Sequence, residues 1–242
     1  MIETMKNLEG VKAFFSKRHE GHSQGRYSTL NVGFHVDDDE KNVIKNHELI
    51  KEYISKRADI IYMNQIHSNN VCITGNVQNI PTCDSLLTHE KEKILMVMVA
   101  DCIPILFFDK GKKVIAAIHA GRKGTFLNIV EETLDLMSDT YGSKNEDIYV
   151  SIGPHIHDCC YQVGDEIIDE AKEIGLDDAI KIEEDGNYLN MQKIVVQQLQ
   201  QYGVIKQNIE IVDLCTSCNI DQFFSYRKEG QTGRFCGVIM LE

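Results

Sequence analysis

The sequence predicts an α/β (α+β) fold, a single layered domain of mixed β-sheets flanked by helices. Short apolar runs rich in Val, Ile and Phe alternate with stretches in which apolar residues recur at helical spacing. The chain has 242 residues, near the upper size that one hydrophobic core serves, and it shows no repeat, low-complexity tract or Pro/Gly/Ser-rich linker. We therefore assign residues 1–242 to one domain in which helices pack on sheets.

The predicted strands are short apolar runs that polar or turn residues bound on both sides. They are Val11 to Ser16, Ile60 to Ile66, Val71 to Thr74, Ile94 to Ala100, Ile105 to Phe108, Val114 to His119, Ile148 to Ile152, Ile209 to Leu214 and Phe235 to Leu241.

One helix is predicted to begin after Thr125 as its N-cap and to end near Gly142, because the apolar residues between them recur on one face. Three further stretches have the same periodicity. They are Glu40 to Ile54, Asp165 to Ile174, and Met191 to Tyr202 with Asn190 as its N-cap.

Composition and charge exclude several classes of function. The formal net charge of -12 opposes a broad attraction to nucleic acid or to an anionic membrane, although a small anionic ligand remains compatible with it. The longest strongly apolar run, Ile94 to Ala100, is far shorter than the ~18 residues of a membrane span. Met1 to Gly10 lacks the apolar stretch of a secretory signal, so we expect a cytoplasmic protein whose 8 Cys are thiols or metal ligands.

Three predicted strands end in residues that bind soft divalent metals: His67, Cys102 and His119. Two imidazoles and one thiolate suit zinc, and three protein ligands leave a fourth position open, as in catalytic sites. The three residues are far apart along the chain, so only the fold can bring them together. On spacing alone, a His or Cys at a strand end is more often a packed polar or small apolar residue than a metal ligand.

Two cationic segments could bind an oxyanion. His119 is followed by a glycine-bearing turn with Arg122 and Lys123 and then by a helix, an arrangement that offers backbone amides, although a simple tight turn explains it too. Arg227 follows the aromatic run Phe223 to Tyr226, where it could fork onto a phosphate or carboxylate or be a solvated neighbour of a hydrophobic anchor.

The remaining cysteines suggest structural packing or occasional oxidation rather than a second metal site. Cys215 and Cys218 form one C-x-x-C pair, but a closed zinc site needs two more ligands and the sequence has no second such pair. The segment His155 to Cys160 follows Gly153-Pro154, and we interpret it as a loop that forms a pocket wall.

Taken together, the motifs resemble those of the bacterial polyphenol-oxidase (laccase-domain) proteins, a family also called peptidoglycan editing factor and zinc-dependent purine nucleoside phosphorylase. The resemblance covers nearly the whole chain, with the motifs in the family's order. They are Phe15 to Arg18, Ser28 to Gly33 with Asp37-Asp38, Gln65 to His67, Cys83 to Thr88, Ala100 to Pro104, His119 to Gly121, Ile152 to Pro154, Cys159 to Tyr161, Phe224 to Arg227 and Thr232 to Arg234.

The resemblance implies a layered α/β fold and a zinc ion on His67, Cys102 and His119 beside a surface cavity, with these three as the catalytic residues. It implies phosphorolysis of adenosine, inosine, guanosine and methylthioadenosine, with adenosine deamination as a further activity. The substrate-binding candidates that follow from it are Arg227, Lys123, Asn31 and Asp84.

Two segments depart from the family pattern. His119-Ala120-Gly121-Arg122-Lys123-Gly124 stands where the family usually has His-Ala-Gly-Trp-Arg-Gly, so Lys123 offers a point charge in place of a bidentate fork. His19-Glu20-Gly21 replaces an expected double-glycine turn. Neither departure touches the three metal positions.

The sequence leaves the mechanism and three other functions open. In a deaminase, Asp84 or Asp101 could shuttle protons, and Asp101 could instead orient a ligand histidine. A cysteine hydrolase would use Cys102 as nucleophile and His119 or His67 as base. A copper-dependent polyphenol oxidase would need more clustered imidazoles than 9 His suggest, and a binding role in cell-wall quality control would show no turnover. The partners expected are purine nucleoside and phosphate, with no nucleic acid and no membrane; the sequence leaves the oligomeric state open.

Overall fold

The computed structural model describes residues 1–74 and 79–242. The strands in these residues are β1 Ile2–Thr4, β2 Val11–Phe15, β3 Asp59–Tyr62, β4 Val71–Ile73, β5 Ser85–Thr88, β6 Lys93–Val99, β7 Ile103–Asp109, β8 Val114–Ala120, β9 Ile148–Ile152, β10 Gln162–Val163, β11 Ile180–Glu183, β12 Gly186–Leu189, β13 Ile209–Ile211 and β14 Phe235–Leu241. The α-helices are α1 Glu40–Ile54, α2 Arg122–Phe126, α3 Ile129–Tyr141, α4 Asp165–Glu173, α5 Met191–Gln201 and α6 Tyr226–Glu229. Short 3₁₀ helices cover Gly25–Tyr27, Phe34–Val36, Asn145–Asp147, Asp177–Ala179 and Lys206–Asn208.

The strands form three sheets. A five-stranded sheet has the order β1-β2-β14-β6-β3, a six-stranded sheet has the order β13-β9-β7-β8-β5-β4, and a small sheet has the order β10-β12-β11. Three pairs are parallel, namely β3 with β6, β4 with β5, and β13 with β9, and the other pairs are antiparallel. The two larger sheets are therefore mixed, as the sequence predicts, and the small sheet is antiparallel.

The two larger sheets pack face to face between layers of helix. In β6, Val97 points into the core between the sheets, whereas Met96 packs on the other side with Ile50 of α1. In β7, Phe108 joins the same inter-sheet core, whereas Phe107 packs in the cluster that includes α3 and α5. Alternate residues of one strand thus face opposite layers, and burial on both faces explains why these strands are continuously apolar. This layered arrangement confirms the predicted fold class.

Each predicted strand run contains a strand, but two strands end more than one residue earlier than predicted. β3 ends at Tyr62 because the next residues turn toward Asp84, and His67 adopts a left-handed conformation with φ 59°. β13 ends at Ile211, after which the chain leaves the sheet. Among the described residues, no helix combines the length and apolar character needed to cross a bilayer.

The helix predicted to begin after Thr125 is instead two helices. α2 ends at Phe126, and Asn128 adopts a left-handed conformation with φ 58°, which interrupts the helical path. The Asn128 side chain accepts a hydrogen bond from the Glu131 amide, so Asn128 rather than Thr125 is the N-cap of α3. The predicted end at Gly142 is confirmed, with φ 68° at that glycine. α1, α4 and α5 match the predicted stretches within a residue or so at their ends.

Candidate metal centre

The hairpin of β7 and β8 brings Cys102 beside His119. The antiparallel register pairs Pro104 with His119, so the start of β7 lies next to the end of β8. Cys102 directly precedes β7, in the turn through which the chain passes from the five-stranded to the six-stranded sheet. The site therefore lies at the junction of the two sheets.

Asp84 holds the segment with His67 against the end of β8. Its buried carboxylate accepts hydrogen bonds from the amides of His67 at 3.0 Å and Ser68 at 2.7 Å, and from the Ser68 hydroxyl at 2.7 Å. The Ile66 amide donates to it at 3.3 Å. On the other side, Asp84 is 2.8 Å from Nδ1 of His119, and its carbonyl accepts the His119 amide at 2.7 Å. One carboxylate thus joins two of the three predicted ligands.

The three predicted ligands lie within bonding reach of a common point. The donor atoms of His67, Cys102 and His119 are all within 4.8 Å of one another, and Cys102 Sγ is 3.8 Å from Nε2 of His67. The imidazole rings of His67 and His119 meet edge to face at 4.7 Å between centroids. A Cβ atom at Gly121 would lie 2.6 Å from Cδ2 of His67, so only glycine leaves room for this arrangement. His119 is buried, Cys102 is partly exposed and His67 is exposed, so one side of the cluster faces solvent.

The electrostatics of the cluster favour the charged forms of Asp84, Cys102 and His119. Burial disfavours the Asp84 anion, but hydrogen bonds from His119 and Ser68 outweigh it and lower the pKa of Asp84 to about 2. Burial would raise the pKa of Cys102, yet the charge of His119 and hydrogen bonds from His119 and His67 lower it to about 6. In return, although burial acts to lower it, the Cys102 thiolate and Asp84 raise the pKa of His119 to about 9. Without a metal, Cys102 and His119 therefore form a thiolate–imidazolium pair.

The donor set fits a zinc ion. Ionised Asp84 can only accept hydrogen bonds, so Nδ1 of His119 donates to it and Nε2 remains free as the metal ligand. Cys102 would supply a thiolate at neutral pH, and the exposed side would leave a coordination position open. The carboxylate that orients the ligand histidine is Asp84. Asp101, the other carboxylate considered for this role, accepts from the Thr216 hydroxyl and the Arg227 amide, each at 2.6 Å.

Arg227 and Tyr161 lie together near the cluster. The Arg227 guanidinium is 5.1 Å from the ring centroid of Tyr161, and its Nη1 donates to the carbonyl of Gln162 at 2.6 Å. Burial raises the pKa of Tyr161, and the negative charge of Cys102 raises it further, whereas the charge of Arg227 lowers it. Through Asp101, which accepts the Arg227 amide and directly precedes Cys102, α6 is tied to the cluster.

Two further side chains, Arg234 and His35, interact electrostatically with the site, and neither is among the residues predicted from the sequence to bind metal or substrate. Burial lowers the pKa of Arg234, while the nearby Cys102 and Asp101 charges raise it. His35 has its pKa lowered by burial and by the charges of Arg234 and His119. Arg234 is part of the Thr232 to Arg234 motif quoted above, which was the only signal pointing to it; His35 carried none.

The other predicted substrate-binding residues differ in access. Lys123 is exposed on α2, while its neighbour Arg122 pairs with Glu170. Asn31 is buried, and its amide donates to Asp38 and accepts from the Arg234 amide, each within 2.9 Å. Asn31 thus joins its own segment to Arg234. Asp84 is also buried, with its oxygens engaged as described above.

A second group of possible metal ligands lies outside this centre. The structure brings Cys159 and Cys160 next to the C-x-x-C pair Cys215 and Cys218, with all four sulfur atoms within 4.8 Å of one another. The sequence showed no two further potential ligands for this pair, and the structure provides them as the adjacent Cys159 and Cys160 of another loop. Neither of the two clusters found in residues 1–74 and 79–242 contains three imidazoles.

Known proteins are similar to this chain over most of its length. A protein-family model described as multi-copper polyphenol oxidoreductase laccase matches residues 12–242. The chain is 34% identical to a purine nucleoside phosphorylase from Clostridium acetobutylicum, over 88% of this chain and 90% of that protein. It is 30% identical to a purine nucleoside phosphorylase from Bacteroides thetaiotaomicron, over 99% of this chain and 94% of that protein. The crystal structure of the hypothetical protein YfiH from Bacillus licheniformis superposes with a TM-score of 0.90 at 31% identity, covering 96% of this chain and 93% of that one.

Proposed function

The chain belongs to the family described as multi-copper polyphenol oxidoreductase laccase, and we propose that within it this protein is a zinc-dependent purine nucleoside phosphorylase. The relatives that carry the name purine nucleoside phosphorylase support the reaction. The observation that supports zinc binding is the cluster of His67, Cys102 and His119, which is open on one side. We propose adenosine, inosine, guanosine and methylthioadenosine as substrates and a cytoplasmic location.

In phosphorolysis, a phosphate oxygen forms a bond to the anomeric carbon of ribose while the glycosidic C–N bond breaks. The electron pair of that bond goes to the purine, which takes up a proton and leaves, and ribose 1-phosphate remains. The transition state carries positive charge on the sugar and growing negative charge on the base. Zinc bound to His67, Cys102 and His119 would supply a Lewis acid that stabilises such negative charge.

The protein's own residues would position both reactants. Arg227 uses Nη1 for the Gln162 carbonyl, and a guanidinium carries further N–H donors that can hold a phosphate. Lys123 is exposed on α2, which begins directly after Gly121, and adds a positive charge. Arg234 adds a third cation within electrostatic reach of Cys102. These local cations can bind an anion despite the formal net charge of -12.

We infer that the buried carboxylate of Asp84 positions the metal ligands and does not transfer protons. Its pKa of about 2, which results from hydrogen bonds that outweigh burial, keeps it ionised at neutral pH. A proton shuttle works best with a pKa near the working pH, so Asp84 is poorly suited to that role. We propose that Asp84 fixes the ring of His119 and the backbone of His67, and that any adenosine deamination uses another proton carrier.

Incubation of metal-quantified protein with inosine or adenosine, with and without phosphate, tests the proposal. We expect phosphate-dependent release of free base with an equal amount of ribose 1-phosphate, and loss of both with a chelator. Conversion of adenosine to inosine in the same assay reports deamination. Cys102→Ser should lose the rate and the zinc ion of the His67–Cys102–His119 centre, while Cys72→Ser, which alters a cysteine outside both clusters, should keep them. Base release that ignores phosphate contradicts the phosphorylase.

The same geometry supports a second candidate, a cysteine hydrolase. The pKa of Cys102, which burial would raise but the charge of His119 lowers to about 6, is that of an activated thiolate nucleophile. The two candidates differ in their metal dependence. A hydrolase would retain activity after the metal is removed, would be blocked by thiol alkylation and would form no ribose 1-phosphate. Copper in place of zinc, with oxidation of phenols, would instead favour the chemistry named in the family description.

A further inference from the structure

Four cysteines meet where two loops leave neighbouring strands. β9 and β13 are parallel, with Ile152 paired to Ile211, so their carboxyl ends lie at the same edge of the six-stranded sheet. The loop after β9 contains Cys159 and Cys160, and the loop after β13 contains Cys215 and Cys218. The parallel topology therefore brings together two cysteine pairs that are far apart along the chain; Cys160 and Cys218, for example, are 58 positions apart.

The sulfur atoms have the spacing of a tetrahedral metal site. Cys159 Sγ lies 3.7 Å from Cys160 Sγ and 3.7 Å from Cys218 Sγ, and Cys160 Sγ lies 3.4 Å from Cys218 Sγ. The fourth sulfur, that of Cys215, is within 4.8 Å of the others. A tetrahedron of thiolates around zinc with Zn–S bonds of about 2.3 Å has S···S edges of about 3.8 Å. A disulfide would need an S–S distance of about 2.05 Å, and all four cysteines are free thiols.

Backbone groups hold the loops in this arrangement. The His157 amide donates to Cys215 Sγ at 3.4 Å, a contact that stabilises a thiolate. The Thr216 amide donates to the His155 carbonyl at 2.9 Å, and His155 and Cys215 form an isolated parallel bridge. The Cys215 carbonyl accepts from the side chain of Asn219 at 2.8 Å, which closes the turn of the C-x-x-C pair. The cysteines are therefore presented by an ordered pair of loops.

We propose that Cys159, Cys160, Cys215 and Cys218 bind one zinc ion in a closed structural site, separate from the centre at Cys102. Four thiolates select a soft ion such as zinc over magnesium or calcium, and four protein ligands leave no open position for substrate. Cys215 is buried, whereas Cys159 and Cys218 are exposed, so the ion lies at the surface end of the loops. Its role is to fasten the loop after β9 to the loop after β13.

This fastening extends to the candidate catalytic centre. Thr216, inside the C-x-x-C pair, donates its hydroxyl to Asp101, and the Ile156 amide donates to the Asp101 carbonyl at 2.9 Å. Asp101 directly precedes Cys102 and has φ 90°, a conformation that needs support in a residue other than glycine. Tyr161, which contacts Arg227, directly follows Cys160. The structural zinc would thus position both the turn of Cys102 and the wall formed by Tyr161.

Metal content of matched variants tests the second site without relying on nucleoside turnover. By elemental analysis of reduced protein, we expect about two zinc ions per chain in the wild type and in Cys72→Ser, because Cys72 lies in neither cluster. Cys102→Ser and Cys218→Ser should each retain about one zinc ion per chain. One zinc in the wild type that Cys218→Ser keeps and Cys102→Ser loses overturns the proposal, whether or not the protein is a phosphorylase.

Cobalt substitution gives a second readout. We expect intense thiolate-to-cobalt absorption in the wild type and in Cys102→Ser, and a large loss of it in Cys218→Ser. Cys159→Ser provides a second removal should Cys218→Ser fold poorly, with circular dichroism as the check on folding. Titration of the denatured, metal-free protein should find all 8 cysteines as thiols. Fewer thiols, with zinc absent from the cluster, would show a disulfide in its place, and iron instead of zinc would overturn the choice of ion.

Discussion

Replacing Gly121 with alanine should weaken zinc binding without changing the backbone. Gly121 has φ -73° and ψ 163°, which alanine adopts without strain. The added Cβ would, however, lie 2.6 Å from Cδ2 of His67, and 3.4 Å from both Cys102 Sγ and Cε1 of His119. A separation of 3.4 Å is an ordinary contact, so Cys102 and His119 can stay in place. The His67 ring must move by ~0.8 Å to reach the same separation from the new Cβ.

That displacement is large for a metal ligand. Zinc–nitrogen bonds of about 2.0–2.1 Å tolerate shifts of about 0.2 Å, so the His67 ring would no longer reach the ion at full strength. Disturbing the support of a ligand typically reduces metal affinity by about 10- to 100-fold. We expect a loss in this range for Gly121→Ala, equivalent to about 1.4–2.8 kcal/mol.

Competition with a chromophoric chelator measures the affinity. The experiment uses a Cys218→Ser background, so that only the centre at Cys102 contributes. Gly111→Ala serves as the matched control, because its Cβ would meet only Asp109 Oδ1, at 3.4 Å. Affinity of Gly121→Ala within twofold of the control would refute the reasoning that Gly121 leaves room for the His67 ligand.

Three further predictions concern single side chains. Asp84→Asn should release zinc and lower the free energy of unfolding of the metal-free protein by about 3 kcal/mol or more, because a buried oxygen that accepts several hydrogen bonds becomes a donor. Urea unfolding measures this loss, and unchanged stability of the variant would contradict the prediction. Burial and a neighbouring His157 lower the pKa of His155 from 6.5 to about 3, although the Gly153 carbonyl opposes this. Between these pH values the unfolded chain binds a proton that the native state does not, so the free energy of unfolding falls with falling pH, by about 2 kcal/mol from pH 7 to 5. His155→Gln should remove this part of the pH dependence of urea unfolding, and an equal slope in the variant would exclude it. Arg227→Lys should raise the KM for phosphate about tenfold at saturating inosine, because lysine lacks the bidentate fork of arginine. Lys228→Ala should leave this KM unchanged. Equal KM values for Arg227→Lys and the wild type would exclude Arg227 from phosphate binding.

The three ligands of the candidate centre were accessible from sequence because each lies at the end of an apolar run. Cys102 and His119 follow from this pattern, and the hairpin of β7 and β8 then makes them neighbours. His67 lies beyond the end of β3, and it reaches the site because Asp84 binds its backbone. The sequence pattern named the residues, but the carboxylate that joins them could not be distinguished from Asp101 by spacing.

The four-cysteine cluster could not be predicted because its cause is long-range. Only the parallel pairing of β9 and β13 brings Cys160 to Cys218, and no local periodicity indicates which strands will be neighbours. The small sheet was missed for a different reason. β10 and β11 are short and mostly exposed, so their residues lack the apolar alternation that identifies a strand.

The position of β14 in its sheet constrains how the protein is made. Residues 235–241 lie between β2 and β6, with Val238 paired to both Phe14 and Met96. A nascent chain that has not yet emerged past residue 235 therefore lacks the central strand that joins the start of the chain to the strand leading into Cys102. Assembly of the five-stranded layer must wait for translation to reach this strand, and until then the inter-sheet surface stays open to chaperones and proteases.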